Sequence, residues 1–221
     1  MKWYKNLYRR HLLDMHIEDW DERFLSEFSP DEYVENLKLA KIQCAMIYLQ
    51  SHVGLCNFPT KVAEEHRAFV GNDKMQRLIK LCHENGIKVV GYYSLIHNNR
   101  AEINHPEWKM IEADGKTPRE KGGRYGFVCP NNEEYRAFVV EQIKEMHENF
   151  ELDGVFYDMP FWPDSCRCKS CRERWQKEVG GDMPEPDLKV PRFKEYAKKL
   201  QEWMAEFCAF VAQKTHEIMP E

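Results

Sequence analysis

The sequence predicts an α/β fold of the (β/α)8 TIM-barrel type, present as its N-terminal four β-α units. Three observations carry this. Short apolar runs alternate with helical patterns along the chain, and such alternation builds a parallel sheet flanked by helices. The runs are nearly continuous in apolar residues, as strands covered on both faces must be. No Gly-x-Gly-x-x-Gly follows any of them, which disfavours the dinucleotide-binding open sheet, the other architecture that right-handed crossovers allow.

The first strand is expected in His11 to Ile17, with Asp14 and His16 near its carboxyl end. Ser29-Pro30-Asp31-Glu32 then supplies an N-cap, a proline at N1 and acids in the first turn, and Val34, Leu37, Ala40 and Ile42 give the helix its apolar side. Cys44 to Gln50 is the second strand, and it empties into a polar and aromatic loop, Ser51 to Lys61, that contains His52. Asn72 or Asp73 caps the next helix, whose Met75, Leu78, Ile79 and Leu81 share a face and which stops at Asn85-Gly86.

Ile87 to Ser94 is the third strand. The loop after it, Leu95 to Pro130, is far longer than the usual handful of residues and carries His97, His105, Trp108 and a glycine-rich turn, so it is expected to be a substrate-facing excursion. Asn131-Asn132 caps a helix with Tyr135, Phe138, Val139, Ile143 and Met146 inward, and the aromatic run entered through Asp153-Gly154 delivers Asp158 to a rim. Beyond the cysteine run Cys166-Arg-Cys168-Lys-Ser-Cys171, a break at Pro186 to Pro191 precedes a long amphipathic helix, Arg192 to Met219.

An eight-fold barrel takes about 250 residues, whereas this chain spends 221 on four large units. The expectation is a single partial barrel domain over residues 1–221, whose open edge after the fourth strand favours a homo-oligomer. With 32 basic and 37 acidic residues, a net charge of -5 and no basic run, a nucleic-acid partner is not expected. The basic N-terminus lacks an apolar region after it, and no window holds about 18 apolar residues; neither secretion nor a membrane is expected. Three of the eight cysteines lie within six residues, a spacing that suits a metal better than disulfides and points to a reducing, cytoplasmic setting.

Catalytic groups of a parallel barrel sit at the carboxyl ends of strands and in the loops that follow. Asp14, His16, His52, Tyr93, His97, Asp158 and Trp162 fall there. Asp158 is the strand-end carboxylate with aromatic residues on both sides, Phe156-Tyr157 and Phe161-Trp162, which suits a carboxylate working on a sugar held by neutral donors and an aromatic platform. A helix cap or structural acid would look the same, and Asp14 equally suits a structural partner of a neighbouring His or Arg. Each histidine alone reads as a satisfied loop residue, and Trp162 equally as packing on the cysteine loop.

Cys166, Cys168 and Cys171 give three thiolates from one tight loop. Cys129, at the end of the loop after the third strand, is the expected fourth. Four thiolates close the coordination sphere, so the metal expected is a structural zinc that does no catalysis. Cys44, Cys56, Cys82 and Cys208 sit in apolar or helical settings and read as inert.

The series Gly86 to Ser94, Val128-Cys-Pro-Asn-Asn132, Asp153 to Asp158 and the cysteine run resembles the hypothetical glycosyl hydrolase 6 family over nearly the whole chain. That family is similar to the α-L-fucosidases of glycoside hydrolase family 29, whose second strand ends in a His-containing Gly-Phe loop, here Ser51 to Phe58, and whose third carries Gly-x-Tyr-Tyr-Ser. The resemblance implies that Asp158 is the nucleophile of a retaining mechanism and that His16, His52 and Tyr93 bind sugar hydroxyls. The fucosidases usually show a His pair where this chain has Ser51-His52. Their general acid lies beyond the fourth strand, so the isolated chain is expected to have little hydrolase activity. The cysteines resemble the zinc site of family 42 β-galactosidases. The alternative reading is a non-catalytic, zinc-stapled carbohydrate-binding or assembly module.

Overall fold

The fold is that of a computed structural model, which describes residues 2–220. The chain divides into two compact units, residues 1–94 with 145–158, and residues 95–144 with 159–221.

The first unit holds a mixed sheet of β1 (Arg10–Leu12), β2 (Cys44–Gln50), β3 (Leu55–Cys56), β4 (Glu64–Glu65), β5 (Lys88–Ser94) and β6 (Gly154–Asp158). β1, β2, β5 and β6 are parallel and lie side by side in chain order, while β3 and β4 extend the sheet from the end of β2. Parallel neighbours need a crossover. α1 (Pro30–Leu39) supplies it between β1 and β2, and α2 (Lys74–Glu84) between β2 and β5. α1 starts at a side-chain cap, Ser29 Oγ accepting from the Glu32 amide at 3.3 Å, whereas the N-cap of α2, Asp73, makes no capping bond and Asn72 just before it accepts from the Lys74 amide at 3.2 Å. Gly86 then turns α2 into β5 with a left-handed φ of 70°, which a side chain would resist.

β2 and β5 are the buried centre of the sheet, packed by Val34 and Leu37 of α1 and by Met75, Leu78, Ile79 and Cys82 of α2. Gly91 is required there by close approach. A Cβ at that position would stand 2.9 Å from the side-chain tips of both Leu49 and Leu152. At the amino end of β6, Asp153 takes three hydrogen bonds: from Lys88 Nζ at 2.6 Å, His83 Nε2 at 3.0 Å and the Val89 amide at 2.9 Å. Burial alone would raise this carboxyl, but those donors outweigh it and hold Asp153 below the ordinary carboxylate range. β6 lies at one edge of the sheet among the described residues, and its Phe156 is 39% exposed.

The second unit contains α3 (Asn99–Asn104), α5 (Lys169–Glu178) and α6 (Phe193–Ile218), and α4 (Glu133–Asn149) begins in it before ending in the first unit. Its core is aromatic, with Tyr135, Trp175, Tyr196, Trp203 and Phe207 all buried.

Three elements differ from expectation. The first strand is only Arg10–Leu12, because Asp14 Oδ1 turns back to accept from the His16 amide at 3.1 Å and ends the extended run. The region 95–130 is ordered around α3, capped by Asn98 Oδ1 on the Ala101 amide, and by bridges from His97 to Phe127 and from Lys109 to Val128. α5, not foreseen, starts inside the cysteine run with Cys168 as its N-cap. Among the described residues no helix is long and apolar enough to cross a membrane.

Candidate functional site

The register of the sheet creates one polar cluster at the carboxyl ends of its strands. Tyr48 pairs with Tyr92, Tyr92 with Phe156, and Ser94 with Asp158. Side chains alternate across a strand, so these residues share a face. Tyr48 and Tyr92 stack with centroids 3.8 Å apart, and Phe156 follows at 5.8 Å. Asp158 stands just past this ladder, and Met159 directly after it adopts a φ of 58°, so the chain turns sharply at the carboxylate.

Tyr92 donates its hydroxyl to Asp158 Oδ2 in a short hydrogen bond. Burial first, and then that bond, push the Tyr92 hydroxyl well above its ordinary range, so it remains a donor. His52 places Nε2 3.8 Å from the same Asp158 oxygen. His16 lies against His52 with ring centroids 3.8 Å apart, and its Nδ1 accepts from the His52 amide at 3.2 Å. One ligand atom each from His16, His52 and Asp158 falls within a 4.8 Å span, close enough to raise the question of a metal. The hydrogen bonds argue against one. A metal-binding imidazole donates its second N–H outward, whereas His16 accepts there, so a neutral ring carries its proton on Nε2 and has no lone pair left.

Of the residues expected at this site, His16, His52 and Asp158 converge. Tyr93 does not join them. It is fully buried on the opposite face, where its ring meets Tyr157 edge-on at 6.0 Å, and the hydroxyl that reaches Asp158 is that of Tyr92. Asp14 is largely exposed, 3.6 Å from His16 Nε2, as a structural partner would be. His97 and Trp162 belong to the second unit. His97 is buried against Phe127 at 4.3 Å, and the Trp162 indole donates to the Leu200 carbonyl at 2.6 Å. The expectation missed Tyr92, Ser94 and Gln50. Ser94 Oγ lies 2.7 Å from His52 Nδ1, and Gln50 Oε1 accepts from the Ser94 amide at 3.0 Å.

The second unit contains the cysteine cluster. Cys129, Cys166, Cys168 and Cys171 are all buried and free, with their sulfurs within 4.8 Å of one another. Cys129 and Cys171 are 3.4 Å apart, far longer than the about 2.05 Å of a disulfide. The Cys129 amide is fixed by the Trp108 carbonyl at 2.7 Å and the Arg167 amide by the Ile111 carbonyl at 2.6 Å, so backbone pairing brings the two loops together. Burial pushes the Cys129 and Cys171 thiols up, while the thiols of Cys129, Cys166 and Cys171 directed at Cys168 hold that one far down. A buried group of four sulfurs, one of them readily a thiolate, could bind a metal ion. The other four cysteines contribute no such group among the described residues.

Solved structures share the fold. An α-L-fucosidase, isoenzyme 2 from Paenibacillus thiaminolyticus, superposes with a TM-score of 0.78 at 22% identity, covering 97% of this chain and 31% of its own. The PgaB (BpsB) glycoside hydrolase domain from Bordetella bronchiseptica gives 0.70 at 13% identity, over 98% of this chain and 63% of its own. A polyextremophilic β-galactosidase from the haloarchaeon Halorubrum lacusprofundi gives 0.66 at 14% identity, over 95% and 34%. The chain thus spans about a third of the fucosidase and the galactosidase. No curated protein matches the sequence. Residues 29–159, more than half of the chain, run from the cap of α1 to just past Asp158 and match one family throughout: the chain belongs to the hypothetical glycosyl hydrolase 6 family.

Proposed function

We propose that the chain forms the first four units of a (β/α)8 glycoside hydrolase barrel and that Asp158 is the nucleophile of a retaining mechanism on a carbohydrate. The observation that carries this reading is the setting of Asp158. It ends an inner-face ladder of aromatics, takes the Tyr92 hydroxyl, and stands beside two imidazoles at the carboxyl end of the sheet. Parallel strands in chain order and the glycosidase neighbours support the barrel.

In this mechanism Asp158 Oδ attacks the anomeric carbon as the glycosidic bond breaks, and a carboxylic acid from beyond the fourth unit protonates the leaving oxygen. Tyr92 holds the carboxylate in place and moderates its charge until attack. His16 and His52 bind sugar hydroxyls. The four thiols hold a structural zinc. Zinc–sulfur bonds of about 2.3 Å in a tetrahedron put sulfurs about 3.8 Å apart, a spacing bracketed by the 3.4 Å pair and the 4.8 Å span of the cluster. The position of β6 at an edge of the sheet among the described residues and its exposed Phe156 support association with a second copy.

Fluoride leaves without a general acid, so the nucleophile can be tested on this chain alone. Incubation with 2-deoxy-2-fluoro glycosyl fluorides of α-L-fucose and β-D-galactose is expected to add one glycosyl group to the peptide containing Asp158, read by mass spectrometry. The Asp158→Asn chain stays unlabelled. Sugar binding without any adduct would instead favour the non-catalytic, zinc-stapled module.

A further inference from the structure

We infer that Ser94 is a positioning residue that fixes the tautomer of His52, so that both imidazoles of the cluster present Nε2–H donors and the site takes a neutral polyol and not a divalent cation. The inference rests on reading the cluster as a sugar site, and it adds which atoms do the binding and what sets them.

Ser94 is fully buried and His52 nearly so. Two assignments fit the 2.7 Å separation of Ser94 Oγ and His52 Nδ1. Either Nδ1–H donates to the hydroxyl, leaving a lone pair on Nε2, or the hydroxyl donates to Nδ1, leaving a proton on Nε2. The neighbour on the far side of the ring decides between them. His52 Nε2 stands 3.8 Å from Asp158 Oδ2, and a lone pair aimed at a carboxylate is repelled where an N–H is attracted. Ser94 therefore donates to Nδ1. Gln50 keeps the serine in position, its Oε1 accepting from the Ser94 amide at 3.0 Å. Its own amide nitrogen is buried with no hydrogen-bond partner.

His16 is set the same way by a different donor. Its Nδ1 accepts from the His52 amide at 3.2 Å, which places its proton on Nε2, 3.5 Å from the Tyr48 hydroxyl and 3.6 Å from Asp14. Neither ring then has a free lone pair. What the pair offers is two N–H donors beside the acceptor oxygens of Asp158. Sugar hydroxyls, each both acceptor and donor, match that pattern; a cation, which needs lone pairs, does not.

The test is imidazole nitrogen NMR on the full chain labelled with 15N-histidine. The wild-type spectrum is expected to give His52 and His16 acceptor-type Nδ1 and protonated Nε2 signals. In Ser94→Ala, where Asp158 alone still favours Nε2–H, the His52 Nδ1 signal should move toward that of an unbonded lone pair and the Nε2–H form should lose population while His16 keeps its pattern, and affinity for whichever of L-fucose or D-galactose the wild type binds should fall about tenfold. A protonated Nδ1 on wild-type His52 overturns the inference without any variant, and so does a Ser94→Ala spectrum identical to wild type. If the tautomer moves as expected but neither sugar binds the wild type, the serine lock stands and the sugar reading fails. Tight binding of zinc ions after Cys168→Ser has removed the thiol site, with His16 and His52 signals displaced, overturns the exclusion of cations.

Discussion

Asp153→Asn is expected to destabilise the first unit by about 2–3 kcal/mol and to do so in a pH-dependent way. In the wild type the carboxylate, mostly buried, accepts from Lys88, His83 and the Val89 amide. The amide that replaces it keeps one acceptor oxygen and turns an NH2 group toward a donor. At about 1.5–3 kcal/mol for a hydrogen bond with a charged partner, discounted for the partial exposure of Lys88, one lost bond and one opposed donor give the stated range. At about 2–4 °C per kcal/mol for a chain of this size, the midpoint should fall by about 5–10 °C. The sign with pH follows from the depressed carboxyl. Its stabilisation is fully present above the ordinary aspartate value near 3.9 and is lost as pH falls through the lower folded-state value. Urea unfolding of both chains from pH 7 to pH 3 should therefore give a constant difference down to about pH 5 and a shrinking one below about pH 4. Equal stabilities at neutral pH, or a gap that stays constant down to pH 3, would refute the account.

Other expected outcomes are as direct. Metal analysis of protein purified without chelator should find about one zinc per chain, lost in Cys168→Ser; metal-free wild-type protein would sink the site. Gly91→Ala forces a methyl to 2.9 Å from two leucine tips and should cost about 1–3 kcal/mol in urea unfolding, whereas replacing Gly122, which has nothing within 4 Å of the added carbon, should cost less than the crowded site despite its positive φ. Tyr92→Phe removes the donor to Asp158 and should lower stability by about 1.5 kcal/mol, seen as a lower midpoint in thermal melts, with labelling by the fluorinated fluoride also changed in rate.

Much of this architecture was legible because the local signals agreed with one another. Cys44 to Gln50 is apolar from end to end and forms the central strand as expected, and Ser29-Pro30 starts α1 at the expected residue. Short spacings anticipated Cys166, Cys168 and Cys171 of the thiol cluster, and the place of Cys129 at the end of the loop after the third strand anticipated the fourth. What could not be read was register. Tyr92 and Tyr93 are adjacent and chemically alike, and only the pairing of Ser94 with Asp158 determines which of them meets the carboxylate. The first strand was overestimated because Leu12 and Leu13 look like core, yet both are half-exposed and Asp14 folds back just after them. The role of Asp153 was hidden for a related reason: its donors come from residues 64 to 70 positions away, and no spacing rule reaches that far.

The thiol cluster also has a consequence for the order in which the protein is assembled. Cys129 and Cys171 are 42 residues apart, and between them run the whole of α4 and β6, with Asp158 at its end. An ion held by the four sulfurs would close this stretch into a ring, and closing a ring of that length removes chain entropy from the unfolded state worth about 4 kcal/mol. During synthesis Cys129 leaves the ribosome first, and the four-sulfur group is complete only once β6 and Cys171 have followed. Capture of an ion by all four sulfurs would therefore have to follow synthesis of the stretch bearing Asp158.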